Sequence, residues 1–357
     1  TATTTYTVTA TNTASGCTAT DTVVVTLDNN VATANAGIDT TISCATNTNG
    51  AVIGMTAVAG VTYTWTPTTG LSDATVSNPT ATATATTTYT LKATNTASGC
   101  IATDSVVVTV DFTAPTVDAG TDFTKTCVIN PTGLQIGATA VAGVTYAWTP
   151  ATGLSDATVS NPTANPTATT TYTVTATNTA SGCSVTDTVV VTVNLTTPTA
   201  NAGADFSMSC SLNSGGLEIG SAAEAGTIYS WTPSAGLSFD VISNPIANPT
   251  VTTTYTVTAT NKVSGCSSTD SVTVTVDLTA PVANAGTDFT KTCTTNATGL
   301  EIGATAVAGV TYAWTPATGL SSATVANPIA NPTTTTTYTV TATNTASGCS
   351  VTDTVVV

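Results

Sequence analysis

Apolar and polar residues alternate along most of this chain with the period of two expected of half-buried strands. In TTYTVTATNT, Tyr172, Val174 and Ala176 share one face and threonines fill the other. VTYAWTP groups Val144, Tyr146 and Trp148 on one side, and Pro150 ends the run. LQIGATA places Leu134 and Ile136 together, and TVDAGTDFTKTC reads as a first strand kinked at Gly120. After an ASG turn, SVTDTVVVTV returns as the last strand, whereas ATGLSDATVSNPTANP is irregular, with room for two short strands. About seven short strands separated by turn residues predict a two-sheet sandwich. Trp148 on the third strand and Tyr172 at the start of the sixth fit the immunoglobulin-like version. There Tyr172 takes the place of a tyrosine corner.

The pattern recurs. TTTYTVTATNTASGC occupies Thr3 to Cys17, Thr169 to Cys183 and Thr335 to Cys349, with close variants at Thr86 to Cys100 and Thr252 to Cys266. The closing cysteines, Cys17, Cys100, Cys183, Cys266 and Cys349, advance by one constant step without insertion or deletion. Cys44, Cys127, Cys210 and Cys293 keep that step. So do the expected core residues Trp65, Trp148, Trp231 and Trp314, together with Tyr89, Tyr172, Tyr255 and Tyr338. A fixed period, here of about 83 residues, defines the folding unit, and a unit of this size can hold a small core of its own. The chain therefore reads as an all-β tandem array: a partial repeat at 1–27 and immunoglobulin-like repeats at 28–110, 111–193, 194–276 and 277–357, the last cut short in its final strand. It is expected to be a window on a longer protein. Each repeat with its Pro-containing linker should span roughly 40 Å, so four make an elongated rod of order 150 Å.

Composition narrows the function. Histidine and arginine are absent, four lysines are the only cations, and the net charge is −15. A nucleic-acid partner, which needs a basic face, is excluded. No apolar run approaches the roughly 18 residues of a membrane-spanning helix. Without histidine, the usual triads and most general bases are missing. The irregular-loop aspartate also wanders, from Asp73 and Asp156 to Asp240 and then Ser322. The chain is expected not to be an enzyme, and no cofactor is implied.

The blocks ANAGTDFTKTC, YAWTPATGLS and NPIANPTTTTTYTVTATNTASGCSVTDTVVV, between Ala283 and Val357, resemble the Ig/PKD-like repeats of giant Bacteroidota surface adhesins. They are most similar to gliding-motility adhesins of the SprB type. The resemblance runs the whole chain and marks a repeat class rather than one protein. It implies export by the type IX system, attachment at the cell surface, and a filament stalk that presents an adhesive part elsewhere. It brings no catalytic residue.

Other chemistry is sparse. Asp39, Asp122, Asp205 and Asp288 recur in the first strand, and Asp28, Asp111 and Asp277 sit at repeat junctions. Hard oxygen ligands there are candidates for calcium, set against plain turn-capping. Asp-Ser/Thr-Val recurs at Thr22, Ser105, Thr188, Ser271 and Thr354, and resembles the O-glycosylation signal of Bacteroidota secreted proteins. An alternating last strand explains the same residues. The sequons at Asn194 and Asn296 do not follow the period.

Two cysteines per repeat, without CxxC spacing or histidine, predict disulfides in an oxidising place. Strands of alternating direction put Cys127, closing a first strand, and Cys183, beside the last hairpin turn, at opposite ends of one sandwich. That is some ~30 Å by strand rise, against the about 7 Å a disulfide tolerates. The bottom of one repeat instead meets the top of the next. The favoured set is Cys44–Cys183, Cys127–Cys266 and Cys210–Cys349, leaving Cys17, Cys100 and Cys293 to partners beyond this sequence. The rival is sequence-local: Cys44–Cys100, Cys127–Cys183, Cys210–Cys266 and Cys293–Cys349. The expected role is a non-enzymatic stalk in an extracellular adhesin filament, whose partners are neighbouring repeats, surface glycans or like filaments. The alternatives are glycan- or ligand-binding modules and accessory repeats of a secreted enzyme.

Overall fold

The computed structural model describes residues 2–357. Every element named among them is a β-strand, as expected of a chain rich in threonine and valine and punctuated by glycine and proline. The chain divides into two compact units, Thr1–Thr124 with Thr132–Val193, and Lys125–Pro131 with Asn194–Val357.

The first unit opens on a hairpin of β1 (Thr4–Thr11) and β2 (Thr18–Val25), paired from Thr4 opposite Val25 to Thr11 opposite Thr18. A sandwich follows, made of β3 (Thr40–Ser43), β4 (Ala51–Val52), β5 (Val61–Thr66), β6 (Thr80–Ala81), β7 (Thr87–Asn95) and β8 (Ile101–Asp111). Its larger sheet runs β3-β8-β7-β5, and its smaller one is β4-β6 with Leu71 bridged to Ala81. Strand β3 runs parallel to β8, from Thr40 beside Val108 to Ser43 beside Asp111, while the other neighbours are antiparallel. The next six strands repeat the plan: β9 (Phe123–Lys125), β10 (Leu134–Gln135), β11 (Val144–Thr149), β12 (Thr163–Ala164), β13 (Thr170–Asn178) and β14 (Ser184–Val193).

In the second unit, Phe206–Ser209, Ser267–Asp277, Thr253–Asn261 and Thr227–Thr232 form the same four-stranded sheet in that order. Its last sandwich has a three-stranded sheet of Val310–Thr315, Thr337–Asn344 and Ser350–Val356. Phe289 still donates its amide to the Val356 carbonyl at 3.1 Å, which keeps the first segment beside the last strand.

The inward face of each large sheet supplies the core. Around Trp65 are packed Ala36, Ile53, Tyr89, Leu91, Val106 and Val108, and the same positions recur around Trp148, Trp231 and Trp314. A tryptophan covering about 200 Å² is worth roughly 5 kcal/mol of burial at most. Its one polar atom is satisfied: Trp148 Nε1 donates to the Val159 carbonyl at 2.9 Å, as Trp65 does to Val76. The Tyr172 hydroxyl donates to the Thr152 carbonyl at 2.8 Å, tying the start of β13 to the irregular loop. Tyr89, Tyr255 and Tyr338 make the equivalent bond. Gly137 lies in the left-handed region at φ 77°, and a Cβ there would strike the Ser160 carbonyl and the Trp148 ring, so only glycine lets the loop close over the indole.

Three expectations about strands are corrected. Each complete repeat has six strands rather than about seven, because ATGLSDATVSNPTANP contributes one short strand and a single bridge at Leu154. The first strand is only Phe123–Lys125. Upstream, Ala119 donates its amide to Asp187 Oδ2 and accepts from Gly137 N, so a side chain and a loop hold this stretch in place of a ladder. Leu134 does not share a face with Ile136: it is 43% exposed, whereas Ile136 is buried. Strand β10 stops at Gln135, and the turn at Gly137 redirects Ile136 into the core.

Candidate functional site: the junction between repeats

The repeated hairpin turn is built by its own side chains. Asn178 Oδ1 accepts the amides of Ala180 (2.9 Å) and Ser181 (3.4 Å), and the Asn178 carbonyl accepts the Gly182 amide at 2.8 Å. Gly182 sits at φ 70°, where a side chain would be strained. Ser181 is buried and donates its hydroxyl to the Thr113 carbonyl in the linker at 2.7 Å. Asn178 Nδ2 donates to the same oxygen at 3.2 Å. The turn therefore latches the linker that enters its own sandwich. Ser98 does so with Asn30, Ser264 with Thr196 and Ser347 with Thr279.

The opposing turn, after the first strand, is equally local. Ser43 donates its amide to the Thr46 carbonyl at 2.8 Å, and its hydroxyl oxygen accepts from the Ala45 and Thr46 amides. Asn47, at φ 50°, donates through Nδ2 to the Thr41 carbonyl at 2.8 Å. This places Cys44 at the tip of a rigid turn.

Within the first unit, tip and hairpin meet. Cys44 is bonded to Cys183 with 4.9 Å between Cα atoms, and the Ala45 amide donates to the Ser181 carbonyl at 3.3 Å. A Cβ at Gly182 would strike Ala45, so the glycine also permits this close approach. The second unit holds two more copies. Cys127 bonds Cys266 (Cα atoms 5.1 Å apart), with the Cys127 amide donating to the Ser264 carbonyl at 3.1 Å. Cys210 bonds Cys349 (4.9 Å), with the Ser211 hydroxyl donating to the Ser347 carbonyl at 3.4 Å. All three Cα separations suit an ordinary disulfide. The sequence-local pairs Cys44–Cys100, Cys127–Cys183, Cys210–Cys266 and Cys293–Cys349 do not form, because each first-strand tip faces the hairpin of the following repeat. Cys17, Cys100 and Cys293 are thiols.

The recurrent aspartates are engaged by backbone. Asp39, Asp122, Asp205 and Asp288 accept the amides of Val107, Val190, Thr273 and Val356 at 2.7–2.8 Å. Among the described residues, no group of three or more His, Cys, Asp or Glu is placed to hold a metal ion. Asp111 and Asp277 cap Thr113 and Thr279, whose hydroxyls and amides hold both carboxyls below the usual carboxylate range, and Asp28 caps Asn30. Asp156 caps Thr158 in the same way, and Ser322 substitutes for it at the Thr324 amide. That explains why this loop position tolerates a change of residue.

In the Asp-Ser/Thr-Val series, Asp104, Asp187, Asp270 and Asp353 each accept at 2.8 Å from the amide of Ala36, Ala119, Ala202 and Ala285. The Ala119 amide, then that of Thr188, holds the Asp187 carboxyl below its ordinary range, and Ala285 and Thr354 do the same for Asp353. Val106, Val189, Val272 and Val355 are buried, while Thr22, Ser105, Thr188, Ser271 and Thr354 face outward and are exposed. The aspartate and valine are thus occupied by the fold, and the hydroxyl is presented at the surface.

Tyr146 is half-buried, and its hydroxyl accepts the Val141 amide at 3.0 Å. The exposed rings of Phe112 and Phe239 do not recur at corresponding positions, whereas the half-buried Tyr63, Tyr146, Tyr229 and Tyr312 do. Sequence reading missed the Asn–Ser latch of the hairpin turn, although its signal was present: Asn, Ser, Gly and Cys keep one spacing in all five copies.

No protein-family model matches the chain, and no curated protein does. Among solved structures, the chain is similar to a three-domain immunoglobulin fragment of titin at 14% identity and a TM-score of 0.36, covering 67% of this chain and 95% of that one. The first four extracellular cadherin domains of protocadherin gamma-B7 align at 12% identity and TM-score 0.33, with 90% and 98% covered. The eight N-terminal immunoglobulin domains of Down syndrome cell adhesion molecule align at 14% and 0.34, with 99% and 52% covered. The sheet order, the buried Trp and the buried Tyr bonded back to a loop carbonyl carry the assignment: the chain is a tandem array of immunoglobulin-like sandwiches.

Proposed function

We propose that the chain is a non-enzymatic stalk segment of an extracellular adhesin filament. The single observation that carries this reading is the disulfide that joins consecutive sandwiches at each of three junctions. Such bridges persist in oxidising compartments outside the cytosol, and they commit the cysteines to connecting sandwiches rather than to chemistry within them. The carboxylates that recur serve backbone amides, and the aromatic rings that recur serve the cores. The resemblance of the repeat blocks to Bacteroidota gliding-motility adhesins supports surface attachment and type IX export as the setting. Surface labelling of intact cells of the source organism should detect these repeats, and the purified chain should bind no member of a glycan panel. Concentration-dependent glycan binding, lost in a surface variant that melts normally, would make the sandwiches binding modules instead.

A further inference from the structure

The three disulfides interlace. Cys127 lies inside the loop closed by Cys44–Cys183, and Cys210 lies inside the loop closed by Cys127–Cys266. Each bridge has a sequence separation of 139, longer than the step from one repeat to the next, so consecutive loops must overlap. Tension on a cross-linked chain follows its shortest covalent route. Here that route runs from position 1 to Cys44, crosses to Cys183, follows the backbone to Cys210, crosses to Cys349 and leaves at position 357. The loaded backbone is therefore confined to 1–44, 183–210 and 349–357, less than a quarter of the chain.

We propose that the interlaced bridges are a covalent bypass that caps how far the array can lengthen when it is pulled. Between Cys44 and Cys210, two full repeats along the chain, only the segment from Cys183 to Cys210 stays in the load path. That segment is β14, a linker and the strand Phe206–Ser209, and the two strands, already extended, add little length when pulled. The segments Cys100 to Cys127 and Cys266 to Cys293 have the same length, and Cys100 to Cys127 likewise runs from a long last strand into a short first one. Sequence-local bridges would leave one such segment in the path for every repeat, whereas the interlaced set leaves one for every two. A sandwich in this array can therefore lose its fold under load without lengthening the chain, and its two ends stay in place for refolding. The property follows from connectivity alone and stands whether or not the adhesin reading does.

The test is to pull the full chain by its ends in single-molecule force spectroscopy, with handles that do not use cysteine. With bridges intact, the fully stretched length should stop at ~280 Å, from about 78 residues of loaded backbone at about 3.6 Å each. With a thiol reductant present the whole chain should reach ~1,280 Å, more than a fourfold gain. In Cys183→Ser the shortest route passes through Cys127–Cys266 and Cys210–Cys349, and the loaded backbone becomes 1–127, 210–266 and 349–357. Its limit should move to ~680 Å, from about 190 residues at the same length per residue. The route left by sequence-local bridges would stretch to ~480 Å, and an oxidised limit at that length would overturn the proposal. So would an oxidised limit indistinguishable from the reduced one.

Discussion

The hairpin β1–β2 and the hairpin β13–β14 share the same stretch, TTTYTVTATNTASGC, and the same register: Tyr6 faces Val23 as Tyr172 faces Val189. Their burial could hardly differ more. Tyr6 is 59% exposed and Val8 66%, against 0% for Tyr172 and 1% for Val174. Strand pairing and turn are therefore properties of the local sequence, set by period-two alternation and by the Asn12 or Asn178 cap, which accepts the same two amides in both. The core is not local. It exists only where β11, β12 and the loop containing Ile136 are laid over the inner face.

That contrast gives paired experiments. Tyr172→Ala should cost about 3–5 kcal/mol, as truncation of a buried aromatic does, and depress the first unit's melting by calorimetry. Tyr6→Ala should stay within about 0.5 kcal/mol, as an exposed substitution does. Equal effects would dissolve the distinction between hairpin and core. Next in size is the latch: Ser181→Ala removes the hydroxyl that donates to the Thr113 carbonyl and accepts the buried Cys183 amide at 3.3 Å, and leaving that amide unpaired should cost about 1–3 kcal/mol. Ser15→Ala, at an exposed turn, should cost almost nothing in the same melting experiment.

A smaller effect is pH-dependent. Backbone amides depress the Asp187 and Asp353 carboxyls in the fold, so their stabilisation is fully present above the ordinary aspartate range near about pH 4 and is lost as pH falls through the depressed values. Asp187→Asn and Asp353→Asn should flatten the acid limb of a stability-versus-pH curve and leave its neutral-to-alkaline shape unchanged. An unaltered acid limb would show that these carboxylates are not what the fold depends on. The smallest expected change in stability comes from modification of the outward hydroxyls. Peptides spanning Thr188 and Ser271, taken from the source organism, should carry hexose-containing mass additions, and unmodified peptides would return the motif to a plain alternating strand.

Much of this was legible in the sequence because the repeat writes each residue's role four or five times. Trp148 and Tyr172 stood out by periodic recurrence on alternating runs, and the structure places both in the core with their polar atoms bonded to loop carbonyls. What stayed illegible needed partners distant in sequence. The aspartate of Asp-Thr-Val gives no sign in the sequence of its backbone partner, the Ala119 amide far upstream. The first strand looked long because TVDAGTDFTKTC alternates, but side-chain and loop bonds occupy its first half. Leu134 looked inward because alternation was carried past the very short strand β10. The hairpin turn showed a conspicuous Gly-Cys, while the buried Ser181 beside it gave no hydrophobic signal at all.

The cysteines join successive repeats rather than closing each one, and disulfide mapping of the non-reduced, protease-digested chain tests that pairing. The peptide containing Cys127 should be linked to the peptide containing Cys266, with Cys44 linked to Cys183 and Cys210 to Cys349. A Cys127 peptide linked to Cys183 would contradict it.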